Sequence, residues 1–309
     1  MAKSRLFAQP LVSYKDAKWS VAALLHGVWW HAGRGRQIAD GIRIAGIGRS
    51  RVGYLYRRLC KEQNVDDGDP LRYDVCLEFD HSDALRMFES LDQESPASHA
   101  LNLLAVVTGG PIGACRMIWS TDHFKTIYAT DQLFTYRPNV FDSLESRDGK
   151  NQEINADACR ALAIAWQTEK SSGDGRLSRA LYFFQHAWLS ANLDVTCLNL
   201  AIVLETLCAP HSQSETSHQI AFNTAHLRGG TAAAKKETFA LIRKFYGLRS
   251  GITHGGSVDQ PTLFDFVPPV FHLCASLLRR LLLDPKLAAV IDDEAERRRL
   301  FAGFMFGDG

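Results

Sequence analysis

The chain has 309 residues, of which 46% are apolar and 22% charged, and its formal net charge is +1. This composition is typical of a globular domain, and it excludes a disordered chain, a collagen-like chain and a strongly basic nucleic-acid coat protein. The charge is unevenly distributed, because residues 1–61 contain twelve Lys and Arg against two Asp and Glu, whereas residues 62–148 contain six against sixteen. The length predicts about two domains, each large enough to bury its own core.

The first half of the chain predicts an α+β domain over residues 1–148. Helical patterns are predicted at 19–30 and 84–91. Strands are predicted where β-branched and aromatic residues gather between Gly, Pro and Asp, at 52–59, 71–79, 112–119 and 126–136. The polar segment 143–155 has few apolar side chains that could join a core, so it is the predicted linker.

The second half predicts a helical bundle over residues 149–309. Apolar residues recur at every third or fourth position in five segments: 177–191, 195–207, 214–227, 235–252 and 271–283. Segment 195–207 is apolar nearly all round, so we expect its helix to be the central one. The pair Pro268-Pro269 is expected to precede the fifth helix. The predicted fold class is therefore α+β, a mixed N-terminal domain followed by an all-α bundle.

Cysteine and histidine spacing favours neither disulfides nor a metal site. The seven cysteines are widely spaced without a CxxC pair, and no two of the eleven histidines are four residues apart. The longest early apolar run is too short to span a bilayer, and its polar leader does not resemble a signal peptide. We therefore expect a cytoplasmic protein without membrane contact.

An arginine continues the apolar stripe of the fourth predicted helix. Ile242, Tyr246 and Arg249 follow one another at steps of three and four, so Arg249 shares a helix face with core residues. A buried guanidinium needs an acceptor or a water-filled groove, because burying an unpaired charge is costly. One interpretation is structural, with Arg249 paired to Glu205 and His254 capping the helix. The other is a chemical site.

The distance between Arg249 and His254 along the helix bears on this choice. The two residues are five positions apart, about 140° round an ideal helix, so they cannot share a face of a straight one. Gly251 and the pair Gly255-Gly256 are expected to end or distort the helix, which would allow the two side chains to meet.

Four nearby residues are candidates for a supporting role. Tyr246 is either a core aromatic residue or a platform on which a base stacks, and Glu205 either orients Arg249 or faces solvent. The hydroxyl groups of Ser250 and Thr253 either bind phosphate or satisfy backbone groups near the helix end.

The segment 241–255, LIRKFYGLRSGITHG, resembles the signature of the HEPN superfamily (higher eukaryotes and prokaryotes nucleotide-binding domains), especially its ApeA-like branch. The order of the preceding segments is also similar: a helix with Ala180 and Ala187, then Leu204-Glu205-Thr206-Leu207, then a Ser- and Glu-rich helix start. The resemblance covers about residues 156–285. Ser250 stands where many active members have Asn, Asp or His, although serine is usual in the ApeA-like branch.

The resemblance implies a metal-independent endoribonuclease of prokaryotic antiviral or toxin defence. Arg249 and His254 would be its catalytic pair, with no metal and no cofactor. The implied partners are RNA, a second copy of the chain bound through the bundle, and an antitoxin or phage-derived activator bound to the N-terminal domain. A non-catalytic module that binds RNA, a nucleotide or a partner protein is the alternative, and a scaffold that only dimerises is a third.

The basic N-terminal stretch has the charge and aromatic content of a nucleic-acid groove. Arg49, Arg51, Arg57 and Arg58 are the predicted RNA-binding residues, and Tyr54 and Tyr56 lie among them. The competing interpretation is that the acidic segment 62–148 neutralises this stretch.

Replacing Arg49, Arg51, Arg57 and Arg58 together by Glu distinguishes these interpretations. If all four contact single-stranded RNA, affinity falls and the slope of log affinity against log salt drops by about 3, because each phosphate contact adds about 0.7. The measurement is RNA affinity over a salt series. An unchanged affinity and slope would make the basic stretch a partner of the acidic segment.

Overall fold

The computed structural model describes residues 19–26, 28–30, 32, 35–39, 41–46, 75–79, 96–108, 113–121, 127–130, 152–190, 192–209, 216–256 and 258–306. Within these residues the predicted α+β class is confirmed, since strands and a helix are followed by a series of helices. The chain divides into two compact units, one over 1–136 and 149–166 and the other over 137–148 and 167–309.

The first unit contains a six-stranded antiparallel sheet. Its strands, in chain order, are β1 (Trp19–His26), β3 (Arg36–Ala39), β4 (Ile42–Gly46), β5 (Val75–Phe79), β6 (Gly113–Thr121) and β7 (Ile127–Thr130). Their order across the sheet is β3-β4-β5-β1-β6-β7. Separately, β2 (Val28–Trp30) pairs in parallel with β8 (Gln152–Ile154), and helix α1 (Pro96–Thr108) buries Leu103 and Leu104.

The prediction of a helix over 19–30 is wrong. Residues 19–26 form β1, which pairs with β5 on one side and β6 on the other, and 28–30 form β2. A short continuous apolar run has no clear period, so the pattern alone cannot distinguish a helix from a strand in the middle of a sheet. Here the sheet supplies the hydrogen bonds that a helix would have made internally.

The other predictions for the first half have mixed outcomes. The strands at 71–79, 112–119 and 126–136 are confirmed where the structure describes them, as β5, β6 and β7. Those at 52–59 and the helix at 84–91 lie outside the described residues. Of the linker 143–155 only the end is described, and there the prediction is wrong, because β8 buries Ile154 completely.

The helical bundle is confirmed in the second unit. It contains the C-terminal part of α2 (Ala156–Ser172) followed by α3 (Arg176–Leu189), α4 (Leu193–Cys208), α5 (Thr216–Arg228), α6 (Ala232–Thr253), α7 (Gln260–Leu283), α8 (Pro285–Asp292) and α9 (Glu294–Phe306). As predicted from its composition, α4 is central, since it contacts α3, α5, α6 and α7. Its N-cap Asn192 accepts hydrogen bonds from the amides of Asp194 and Val195.

Helix α7 begins earlier than the two prolines suggested. It starts at Gln260, after the Asp259 carboxylate accepts the Thr262 amide at 2.7 Å, and it continues through Pro268 and Pro269. The prolines remove the amides that would bond the carbonyls of Phe264 and Asp265, and both of those residues are exposed, so water can replace the lost donors.

By length and composition α7 is also the one helix in the described part of the chain that could cross a membrane. More than half of that apolar window, 56%, is buried inside the protein, and its buried residues include Phe271 and Leu278. Packing in the bundle therefore accounts for its apolar composition.

Candidate functional site

Helix α6 carries the arginine and the histidine singled out in the sequence. It begins at the N-cap Thr231, whose hydroxyl oxygen accepts the Ala234 amide. Along its apolar stripe Ile242 and Tyr246 are buried, Arg249 is half-buried and Thr253 is exposed. Arg249 therefore lies at the point where the stripe leaves the core and reaches the bundle surface.

The glycines after Arg249 end the helix in a Schellman motif. Gly256 N–H donates to the Gly251 carbonyl at 2.8 Å, and Gly255 N–H donates to the Ile252 carbonyl at 3.2 Å. Gly255 has a φ of +73°, and a Cβ on Gly256 would lie 3.0 Å from the Gly251 oxygen. We expected these glycines either to end the helix or to distort it, and in the structure they end it.

Tyr246 joins α6 to the central helix. Its hydroxyl donates to the Ala201 carbonyl of α4 at 3.3 Å, and only 9% of the residue is exposed. Burial, and secondarily the charge of Glu205, raises the pKa of the Tyr246 phenol well above its ordinary value of 10. The core interpretation of Tyr246 therefore agrees with its position, and the ring offers little face for a base.

One turn further along both helices, Arg249 of α6 forms an ion pair with Glu205 of α4. An Nη2 of Arg249 lies 3.4 Å from Oε1 of Glu205, and the side chains are 35% and 33% exposed. Glu205 is therefore paired with Arg249, a contact that both the orienting role and the structural interpretation expect. The other guanidinium N–H groups bond no side chain or backbone group within the described residues, so they are available to an external acceptor.

The positive charge of Arg249 also affects the face of α4 on the N-terminal side of Glu205. Cys197, Ala201 and Glu205 are four residues apart on α4 and form a stripe toward α6. Burial raises the pKa of Cys197 to about 12, the charge of Asp194 adds to this, and the charge of Arg249 opposes it. The spacing of these three residues at i, i+4 and i+8 is a signal from which the stripe could have been found in the sequence. The HEPN-like pattern contains only one of the three, Glu205.

His254 is the C-cap residue of α6, and its side chain is exposed. Its backbone N–H donates to the Ser250 carbonyl at 3.1 Å. The Thr253 hydroxyl donates to the Arg249 carbonyl at 2.8 Å, which is the backbone role considered for it. Ser250 itself is exposed on the last turn.

The structure brings together some of the predicted residues and not others. Arg249 and Glu205 are paired, and Tyr246 anchors the same helix contact. No hydrogen bond joins Arg249 to His254 in the part of the chain that the structure describes, although both reach solvent at the same end of α6. The predicted RNA-binding residues Arg49, Arg51, Arg57 and Arg58 lie outside the described residues.

This arrangement offers an anion a fixed cation and a nearby imidazole. A guanidinium can hold two oxygens of a phosphate at once, and a histidine can accept or give a proton near neutral pH. The described residues contain no group of three His, Cys, Asp or Glu side chains placed to hold a metal ion.

Comparison of the chain with protein-family models, with curated proteins and with solved structures gives no match. A functional interpretation therefore depends on the residues of the α6 segment and on the geometry described above.

The buried phenol of Tyr246 predicts a specific loss of stability at high pH. Its pKa is raised in the folded state, so its contribution is complete below about pH 10 and is lost as the pH rises above that value, by at most about 1.4 kcal/mol per pH unit. Tyr246→Phe should cost about 1 kcal/mol at pH 7 through the lost hydrogen bond. The free energies of unfolding of the two proteins should converge above pH 10.

Urea unfolding of wild type and Tyr246→Phe between pH 7 and 11 measures this convergence. Tyr182→Phe, at an exposed tyrosine of α3, is the matched control and should behave as the wild type does. A difference between wild type and Tyr246→Phe that stays constant up to pH 11 would contradict the prediction.

Proposed function

We propose that the chain is a HEPN-type, metal-independent endoribonuclease of prokaryotic antiviral or toxin defence. The observation that carries the proposal is the position of Arg249. Glu205 holds its guanidinium at the bundle surface, where further N–H donors are available, and His254 is exposed at the end of the same helix. The defence role rests on the resemblance of residues 241–255 to HEPN proteins.

The proposed reaction is an attack by the ribose 2′-OH on the adjacent phosphorus. One histidine takes the 2′ proton, the new P–O2′ bond forms, and the P–O5′ bond breaks. A second histidine gives a proton to the leaving 5′-oxygen, so the products are a 2′,3′-cyclic phosphate and a 5′-OH. Arg249 stabilises the extra negative charge on the nonbridging oxygens, and this electrostatic effect is commonly the largest one.

Two proton transfers require two proton carriers, and one chain offers one His254. A homodimer in which two α6 ends face one another supplies both. The exposed position of His254 at a helix end supports this arrangement, because a second chain can approach it without disturbing the buried Tyr246 contact. We therefore propose that dimerisation and cleavage are coupled.

A non-catalytic module is the second candidate, and a specific observation favours it. The pair of Arg249 with Glu205 and the C-cap position of His254 are also what a structural role would produce. Ser250, in place of the Asn, Asp or His of many active HEPN members, points the same way. Such a module would use the exposed donors of Arg249 to bind RNA, a nucleotide or an acidic partner.

Cleavage of a fluorescent single-stranded RNA in EDTA separates the two candidates. If the chain is a nuclease, Arg249→Ala and His254→Ala should each lower the cleavage rate by about 100-fold or more. Lys244→Ala removes another exposed cation of α6, and His272→Ala removes an exposed histidine of α7. Both are matched controls and should cleave normally.

Gel filtration and circular dichroism of each variant show whether folding and dimerisation are kept. RNA binding without cleavage, weakened by Arg249→Ala, would support the non-catalytic module. A strictly monomeric protein that cleaves RNA would contradict the coupling of dimerisation to activity.

A further inference from the structure

A cavity of about 670 Å³ lies in the second unit, and none of its described lining residues belongs to α6. It is bordered by α5, α9 and the end of α4, and its walls are mostly apolar, with Phe222, Phe301 and Met305 contributing. This volume lies in the range of small-molecule sites, roughly 300–1,000 Å³. Phe301 is buried whereas Met305 is 64% exposed, so the cavity has a buried floor and a rim open to solvent.

A buried cation lines this cavity. Arg297 is only 2% exposed, and its Nη1 donates to the carbonyl of Ile291, in the last turn of α8, at 2.8 Å. That bond uses one of the five N–H donors of the guanidinium. Within the described residues Arg297 forms no ion pair, so its charge lacks the close counter-ion that buried charges normally have.

The surrounding charges leave a positive excess. Among the described residues, Asp292 and Glu294 attract Arg297, while Arg176 and Arg298 repel it, so three guanidinium groups interact with two carboxylates. The Arg298 side chain is itself paired with Glu294 at 2.5 Å, which reduces what that carboxylate can offer Arg297. An anion in the cavity would supply the missing charge.

Gln219, another residue that lines the cavity, carries an unsatisfied polar atom. The side-chain oxygen Oε1 of Gln219 is buried and accepts no hydrogen bond in the described structure. Buried polar atoms are rarely left without a partner, because each costs about 1–3 kcal/mol. A ligand that carries an N–H or O–H near its anionic group could satisfy this oxygen.

We propose that this cavity binds an amphipathic organic anion. Its apolar body, of the size of two or three aromatic rings, packs against Phe222, Phe301 and Met305, and its anionic group pairs with Arg297 on the floor. An N–H or O–H next to the anionic group donates to Gln219. This site is separate from Arg249 and His254 and does not depend on RNA cleavage.

Two fluorescent probes with the same apolar body test the proposal on the full chain. Anilinonaphthalene sulfonate and phenylnaphthylamine share the fused ring, the phenyl ring and the N–H, and they differ by the sulfonate. We expect the sulfonate to bind saturably at one site per chain. Arg297→Met should weaken sulfonate binding by about tenfold or more and binding of the uncharged probe by less than about threefold.

A second pair of variants tests the place of binding without touching the buried charge. Ala302 is an exposed residue of the cavity wall, so Ala302→Trp should fill the cavity and weaken both probes by about tenfold or more. Ala295→Trp makes the same change at an exposed position of α9 outside the cavity, and both probes should bind it as they bind wild type.

Near-UV circular dichroism and thermal unfolding establish that each variant is folded, since the sulfonate also binds partly unfolded states. Because Arg297→Met removes the bond to Ile291 as well, Ala302→Trp gives a test that leaves that bond in place. Three results would each overturn the proposal: no saturable sulfonate binding to folded wild type, unchanged binding to Ala302→Trp, or equal weakening of both probes by Arg297→Met.

Discussion

The contact between α6 and the central helix α4 determines the geometry of the candidate site. Tyr246 bonds the Ala201 carbonyl inside the core, and one turn later Arg249 pairs with Glu205 at the surface. The Tyr246 contact fixes the register of the two helices. In that register Glu205 lies next to Arg249 and orients its guanidinium. A partly exposed pair of this kind adds little to stability, about 0–1 kcal/mol, so its main physical effect is orientation. Moving Tyr246 would therefore move the cation.

The end of α6 is a second constraint on the same site. The Schellman motif stops the helix at Thr253 and leaves His254 as an exposed cap. A longer helix would carry residue 254 round the axis as part of another turn, whereas the positive φ of Gly255 turns the chain away at once. Arg249 is held by a neighbouring helix, and His254 is positioned by a helix end. This pair of side chains is suited to phosphoryl-transfer catalysis, and it is equally suited to binding a phosphate group without catalysis. The proposed nuclease needs a second chain to supply the second histidine, and the binding module does not.

Helical periodicity made the bundle predictable, but other features depend on contacts that a sequence pattern does not contain. The all-round apolar segment 195–207 correctly indicated the central helix, and the continuation of the stripe through Arg249 indicated that this charge needs a partner.

Residues 19–26 were mistaken for a helix because only pairing with β5 and β6 identifies them as a strand. The start of α7 was missed because two prolines are tolerated where the affected carbonyls face solvent. Arg297 lies in a highly charged stretch whose pattern indicates an exposed face, and only the packing of α9 buries it.

The central claim is that Arg249 and His254 assist the attack of a ribose 2′-OH on phosphorus. The most direct measurement compares two oligonucleotides of one sequence, an all-RNA strand and a strand in which the ribose at the cleaved position is 2′-deoxy, both incubated with the full chain in EDTA. The account predicts that the RNA strand is cut to a 2′,3′-cyclic phosphate and a 5′-OH, identified by mass, and that the deoxy strand is not cut at that position. Cleavage of the deoxy strand at the same position, or RNA products with a 5′-phosphate, would contradict it.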